Sequence, residues 1–297
     1  MPGDSIYLAG PRPTAEYVEL AASGAKWMGM GDAGISFRPP ANGTVPAGYV
    51  EGWIQKLGPA MANLTDAGIP LDMMYVYGFD EMPEAFNASV YEIFGGLKKQ
   101  WPTLKTIAVL DWATFAADLP LDVWVDEYAD YGSSESYLAP TKKETIRQNW
   151  LASAPNHQFW WYWCIGPTDP AAMNTFVERP AIQGRLLYWL TALHAVNGML
   201  YYDVAIWSGQ CPSQRPCRPC ERINGTGMTD FNPATWNGNG ASTNGGGANG
   251  DGSFTYPGPG GKPLGSLRLS NIADGIEVSW PILWVKSFAC AKYILVR

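Results

Sequence analysis

The sequence predicts an α/β fold, a (β/α)8 TIM-type barrel incomplete or divergent at both ends, in a single domain over residues 1–297. Three observations predict it. Short apolar runs alternate with longer segments of helical spacing, the pattern of a parallel sheet with crossover helices. At least six such strands, or eight if "SIYLAG" counts, favour a barrel over an open sheet. The length of 297 residues suits one barrel of ordinary size.

The elements follow in order. "SIYLAG" (5–10), "AKWMGM" (25–30) and "GISF" (34–37) are candidate first strands. A helix is expected from about Val50 to Ala67, kinked or interrupted at Pro59, because Pro removes an intrahelical donor. "LDMMYVYGF" (71–79) is an apolar strand ending near Gly78. Glu84 to Gln100 is helical, with Val90, Phe94 and Leu97 at three-to-four spacing. "LKTIAVLDW" (104–112) and "LDVWV" (121–125) are strands. "TKKETIRQNWLAS" (141–153) is a helix, and Thr141 three residues before Glu144 makes a capping box. "HQFWWYWCIG" (157–166) is a strongly aromatic strand, and a helical region at about 180–196 leads to "GMLYYDVAIW" (198–207).

After Trp207 the character changes. Residues 208–263 are rich in Gly, Asn, Pro and Cys, and "NGNGASTNGGGANGDG" (237–252) is low in complexity. That core is expected to be a flexible loop, because Gly loses the most conformational entropy on ordering. The whole stretch is too long for an ordinary connection and reads as a functional lid or a disordered segment, an elaborated loop on one domain in preference to a linker between domains.

Composition excludes several classes. The chain is 46% hydrophobic and only 16% charged, with net charge −7, which argues against nucleic-acid and anionic-membrane partners. No uncharged apolar run reaches the ~18 residues of a membrane span. The N-terminal "MPGDSIYLAG" lacks the basic and apolar regions of a signal peptide. Sequons at Asn42, Asn63, Asn87 and Asn224 nevertheless lean toward an extracellular or secretory setting. Cys211, Cys217 and Cys220 cluster in "CPSQRPCRPC". No fourth ligand lies near them, so a disulfide-stapled loop is favoured over a zinc or redox site. The five cysteines leave at least one thiol unpaired or paired between chains.

In a barrel of this kind the site lies at the C-terminal ends of the strands. Asp80 and Glu81 follow one strand, Asp111 and Trp112 the next, and Asp126, Glu127 and Tyr131 another. Tyr162 and Trp163 end the aromatic strand, and Tyr202, Asp203 and Trp207 follow the last. Paired carboxylates walled by aromatics suit glycosidic chemistry, in which an acid protonates the leaving oxygen and an anion stabilises an oxocarbenium-like centre. Taken singly, Asp111 or Asp126 is as readily a cap or turn residue. The Asp80–Glu81 pair is harder to explain so, since Pro83 and Glu84 already start the next helix. Adjacent strand residues, however, point to opposite faces.

The motifs "YGFDE", "LDVWV", "FWWYWCIGP", "RLLYWLTALHAVNGMLYYDVAIW", "GDGSFTYPG" and "GSLRLSNIADGIE" occur here in one order, spanning roughly Leu71 to Glu277. In this the chain resembles the catalytic domain of glycoside hydrolase family 123, which also occurs as a module of unknown function. The resemblance implies a (β/α)8-type barrel and retaining hydrolysis of β-linked N-acetylgalactosamine. It implies no metal or other cofactor, and a glycan or glycoconjugate as partner. The family's catalytic acid pair falls on Asp80 and Glu81. The resemblance further implies substrate-assisted catalysis, with the 2-acetamido oxygen of the sugar as nucleophile, Glu81 as acid and Asp80 as the anion facing the acetamido N–H. Both acids then act from one edge of the ring. Asp111, Trp112, Asp126, Tyr162, Tyr202 and Trp207 are the expected substrate-binding residues. A wall of Trp and Tyr is expected to raise the proton affinity of Glu81. The family's usual N-terminal β-sandwich has no counterpart in this sequence, and "VSWPILWVKSFACAKYILVR" departs from its closing helix. A non-catalytic carbohydrate-binding barrel is the alternative reading.

Overall fold

The computed structural model describes residues 5–6, 12–30, 43–111, 118–128, 142–164, 166–167, 172–202, 204, 250–257 and 263–278. The chain divides into two compact units, one of residues 1–127 and 140–160, the other of residues 128–139 and 161–297.

The first unit is strand-and-helix in alternation. β1 (Ser5–Ile6), β2 (Trp27–Gly29), β3 (Met74–Tyr77), β4 (Lys105–Val109) and β5 (Val123–Glu127) pair in chain order, each parallel to the last. Sequential order is the winding of a barrel, whereas a doubly wound sheet reverses its order midway. β6 (Gln158–Tyr162) enters beside β5, where the Gln158 N–H donates to the Asp122 carbonyl at 2.9 Å. Among the described residues the winding stops short of the eight strands the sequence suggested. "GISF" lies outside them.

The strands fall where the apolar runs fall, but shorter. Leu71–Met73 forms a 3-10 turn rather than strand, closed by the Met73 N–H on the Pro70 carbonyl at 3.1 Å. Pro70 fixes the entry to that turn. Met74, Tyr75 and Val76 are then buried, as a parallel strand covered on both faces requires.

The helices cover the sheet. α1 (Thr14–Ala22) has Tyr17 as its one fully buried residue and is not visible as an apolar period. α2 (Tyr49–Asp66) buries Trp53, Leu57, Met61 and Leu64 and runs on through Pro59. α3 (Asn87–Gln100) buries Val90, Ile93, Phe94 and Leu97 after a 3-10 turn at Glu84–Phe86. In α4 (Lys142–Ser153), Glu144 bonds the Arg147 guanidinium at 2.6 and 2.8 Å and Gln148 at 2.6 Å. Its side chain thus serves its own helix face, and Thr141, the other half of the expected capping box, lies outside the described residues. Two sequons sit on helices. Asn63 lies inside α2, and Asn87 opens α3 with Ser89 wholly buried.

At the start of β5, Asp122 ties the strands together. Its Oδ2 accepts from the Thr106 N–H at 2.8 Å and meets Lys98 Nζ at 2.6 Å, and its Oδ1 accepts from Asn156 at 3.1 Å. This buried carboxylate is thereby spent on structure, since an unpaired buried charge is costly.

The second unit holds the end of β6, α5 (Ile182–Leu193), β7 (Gly198–Leu200) and an antiparallel pair, β8 (Thr255–Pro257) with β9 (Pro263–Gly265). Residues 267–278 are helical. At the end of the expected loop Asp251, Ser253 and Phe254 are buried, and residues 205–249 lie outside the described residues. Trp161 and Trp163 are almost wholly buried, with their indole N–H groups donating to Thr191 and Thr175 at 3.1 and 3.0 Å. Buried indoles need such partners.

Candidate active site

The acid pair stands on a break in the ladder between β3 and β4. The Gly78 N–H donates to the Ile107 carbonyl at 3.1 Å, and the Val109 N–H donates to the Phe79 carbonyl at 3.0 Å. The next bridge is Met82 with Leu110. Val109 and Leu110 are neighbours in sequence, whereas Asp80 and Glu81 intervene between Phe79 and Met82. The two acids are therefore the extra residues of a bulge, extruded where the strand ends.

The backbone shows how. Phe79 and Glu81 both adopt left-handed conformations, with φ of 60° and 52°. An L-residue there costs roughly 1–2 kcal/mol. Phe79 is held by burial: it is 0% exposed and meets Phe94 edge-on, ring centroids 5.2 Å apart. Met82 is buried on the far side. Two buried anchors thus bracket two exposed carboxylates. Strict alternation of side chains does not apply across the bulge, which removes the objection to adjacent acids in one site.

Asp80 is further fixed by Tyr77. The phenol donates to Asp80 Oδ1 at 2.6 Å, within the ~2.5–2.7 Å range of an O–H donor on a carboxylate. Glu81 is exposed.

The other expected residues divide. Asp111 is exposed at the end of the β4 line, just after Leu110. Asp126 is 4% exposed, and its Oδ1 accepts from the Glu127 N–H at 2.8 Å. Trp112 and Trp207 lie outside the described residues, as do Tyr131, Asp203, Cys211, Cys217 and Cys220. In the second unit Tyr162 is nearly buried, while Tyr202 is 37% exposed.

Tyr202 belongs to a cluster that sequence reasoning did not assemble. Its hydroxyl donates to Asp251 Oδ2 at 2.9 Å, and the Tyr201 hydroxyl donates to Asp251 Oδ1 at 3.1 Å. The Gly252 N–H donates to the Tyr201 oxygen at 2.9 Å, and Tyr201 stacks on Phe254 at 4.5 Å. Burial pushes the Asp251 carboxyl above its ordinary value despite the two phenols and Arg268. Burial, aided by the Asp251 charge, pushes the Tyr201 phenol well up. Arg268 holds the loop from below, donating to the carbonyls of Thr175 at 3.0 Å, of Gly250 at 2.9 Å, and of Ser253. The motifs "YYDVAIW", "GDGSFTYPG" and "GSLRLS" thus meet around one carboxylate. The signal available in sequence was the aspartate between two glycines, each of which takes φ > 0.

A family model for the glycoside hydrolase 123 catalytic domain matches residues 49–282. The chain belongs to this family. A solved structure similar to this family 123 chain is a family 123 glycoside hydrolase from Clostridium perfringens, studied for glycolipid glycan hydrolysis. It shares 16% identity at a TM-score of 0.49, over 81% of this chain and 35% of that one. The chain therefore spans about a third of that protein's length. No curated protein matches. Within the family 123 match lie the bulge at Asp80–Glu81 and the cluster around Asp251.

Proposed function

We propose that the chain is a retaining glycoside hydrolase that releases β-linked N-acetylgalactosamine, or a related N-acetylhexosamine, by substrate-assisted catalysis. The observation that carries this reading is the bulge that presents Asp80 and Glu81 side by side and exposed, in a chain of family 123. Two carboxylates adjacent in sequence suit a mechanism with no protein nucleophile across the sugar ring, one of the exceptions to the opposed-carboxylate scheme.

In the first step the acetamido oxygen forms a bond to C1 as the glycosidic C1–O bond breaks. Glu81 gives its proton to the departing oxygen. The product is an oxazolinium ion, whose positive charge and N–H face the Asp80 carboxylate. In the second step water bonds to C1 and the C1–O bond of the ring opens. Glu81, now a carboxylate, takes the proton of that water. The configuration at C1 is inverted twice and so retained.

Among the proposed sugar contacts, Asp111 of the first unit and Tyr202 of the second are each exposed, and Trp112 and Trp207 lie outside the described residues. Asp126 and Tyr162 are each nearly buried. The Tyr202 hydroxyl gives its proton to Asp251, so a sugar hydroxyl that meets it must be the donor.

The test compares an aryl N-acetyl-β-galactosaminide with the matching galactoside. Loss of the intramolecular nucleophile is worth ~7 kcal/mol or more, so the galactoside is expected to be essentially inert. Comparable rates on both would refute the mechanism. Binding of the N-acetyl sugar without turnover would instead establish a carbohydrate-binding barrel.

A further inference from the structure

We infer that Tyr77 is a positioning residue for this reaction, one that commits Asp80 Oδ1 and leaves Oδ2 to receive the acetamido N–H. The inference rests on the substrate-assisted reading above and adds to it a residue and an atom.

The geometry is local. Tyr77 is the last residue of β3, in register with Ile107 of β4, so its backbone is fixed by the sheet. Asp80 is three residues later, beyond Gly78 and a left-handed Phe79. Without that left-handed step, the chain would run on extended and carry Asp80 out of reach of the phenol. With it, the chain turns back and the hydroxyl meets Oδ1 at 2.6 Å. The side chain of Tyr77 is only half-buried, and that of Asp80 is exposed. An exposed aspartate on a bulge has several rotamers of similar energy. The hydrogen bond selects one of them, and it does so before substrate arrives.

That selection matters because the acetamido group must be held in one orientation for its oxygen to reach C1. A carboxylate that swings offers the N–H a moving target, and misplacement of about 1 Å at a reacting centre can cost about 100-fold. A carboxylate with one oxygen pinned presents the other in a set direction. The phenol donates to Oδ1 and so does not compete with the N–H for Oδ2.

The test uses the full chain with Tyr77→Phe, Asp80→Ala and the double variant. The readouts are kcat and KM on an aryl N-acetyl-β-galactosaminide, and inhibition by the corresponding thiazoline, which copies the cyclic intermediate. Tyr77→Phe is expected to lower kcat about 10- to 100-fold with little change in KM, and to weaken the thiazoline by a similar factor. In the Asp80→Ala background the same change is expected to cost nothing further in thiazoline affinity, because the group it positions is gone. A merely structural tyrosine would lower both backgrounds alike, and that additivity, or unchanged kinetics in Tyr77→Phe, overturns the role. Tyr77→Met, checked by circular dichroism, replaces Phe if the Phe variant fails to fold. Failure of the wild-type chain to bind the thiazoline overturns the substrate-assisted reading itself. Binding by the wild type with additive variants overturns only the role of Tyr77.

Discussion

The guanidinium of Arg268 fills the space that a side chain on Gly250 would need. A Cβ built on Gly250 falls 2.5 Å from Arg268 Nη2 and 2.6 Å from Cζ, and the glycine sits at φ +84°. An arginine tip normally moves aside at little cost. This one donates to the carbonyls of Thr175, Gly250 and Ser253, so moving it breaks a set of charge-assisted bonds. Gly250→Ala is therefore expected to destabilise the second unit by about 2 kcal/mol or more, from φ strain plus displaced bonds. Thermal melting checks this. A loss no larger than that of Gly265→Ala, where a Cβ meets open space, would show that Arg268 yields freely.

The left-handed Glu81 is expected to trade stability for position. Glu81→Gly and Glu81→Ala both remove the side chain, but only glycine adopts φ of 52° without a Cβ penalty. The glycine variant should be the more stable of the two by roughly 1 kcal/mol. Both should lose turnover. Equal melting temperatures would mean that the bulge relaxes when the side chain is gone.

Asp251 sets a pH dependence of definite sign. Burial raises its carboxyl above the ordinary value of 3.8. Between the two values the folded chain holds a proton that the unfolded chain has released, so stability falls as pH rises through that window. Below 3.8 both states are protonated and the contribution is fully present. Asp251→Asn removes the titration. The stability of wild type relative to this variant is expected to shrink as pH rises above 3.8. Chemical denaturation of both proteins across that range measures it, and a growing difference would contradict the sign.

How much of this was legible in the sequence depends on the length scale of each contact. The strands β2 to β6 were legible because each is a buried apolar run, and Asp80–Glu81 because nothing local explains two acids there. The bulge was not legible. It depends on Phe79 reaching Phe94 on a neighbouring helix, a tertiary contact that overrides the poor left-handed propensity of Phe. Tyr77 stood in plain view in "YGFDE", yet its bond to Asp80 exists only because of that turn. α1 was missed because Tyr17 alone among its residues is fully buried, which leaves no apolar period to find. Asp251 was hidden for a different reason. It sits at the end of a low-complexity stretch, and composition cannot show that Arg268 and the two tyrosines, distant in sequence, hold it. Asp126, a strand-end acid by sequence, lies nearly buried in β5, where its Oδ1 accepts from the adjacent N–H, a burial that composition and spacing do not show.

The role of Glu81 as proton donor is separable from that of Asp80 by leaving group. Protonation matters in proportion to the basicity of the departing oxygen. An alkyl or sugar alkoxide cannot leave without a proton, whereas an activated phenolate can. Glu81→Gln keeps the size of the side chain and removes only the proton. It is expected to lose general-acid catalysis, commonly 10²- to 10⁴-fold, on a natural disaccharide, with far less effect on a dinitrophenyl N-acetylgalactosaminide. Asp80→Asn removes the anion facing the oxazolinium, which forms with every leaving group, so it should depress both substrates together. Added azide sharpens the comparison. A small anion can attack the accumulated intermediate without a general base, and the Glu81→Gln variant should then release the β-glycosyl azide where the wild type releases sugar. The measurement is kcat/KM on both substrates for each variant, with product analysis in azide. Equal losses on the two substrates for Glu81→Gln, with no azide product, would remove Glu81 as the acid and leave Asp111, exposed at the end of the adjoining strand, as the next carboxylate to replace.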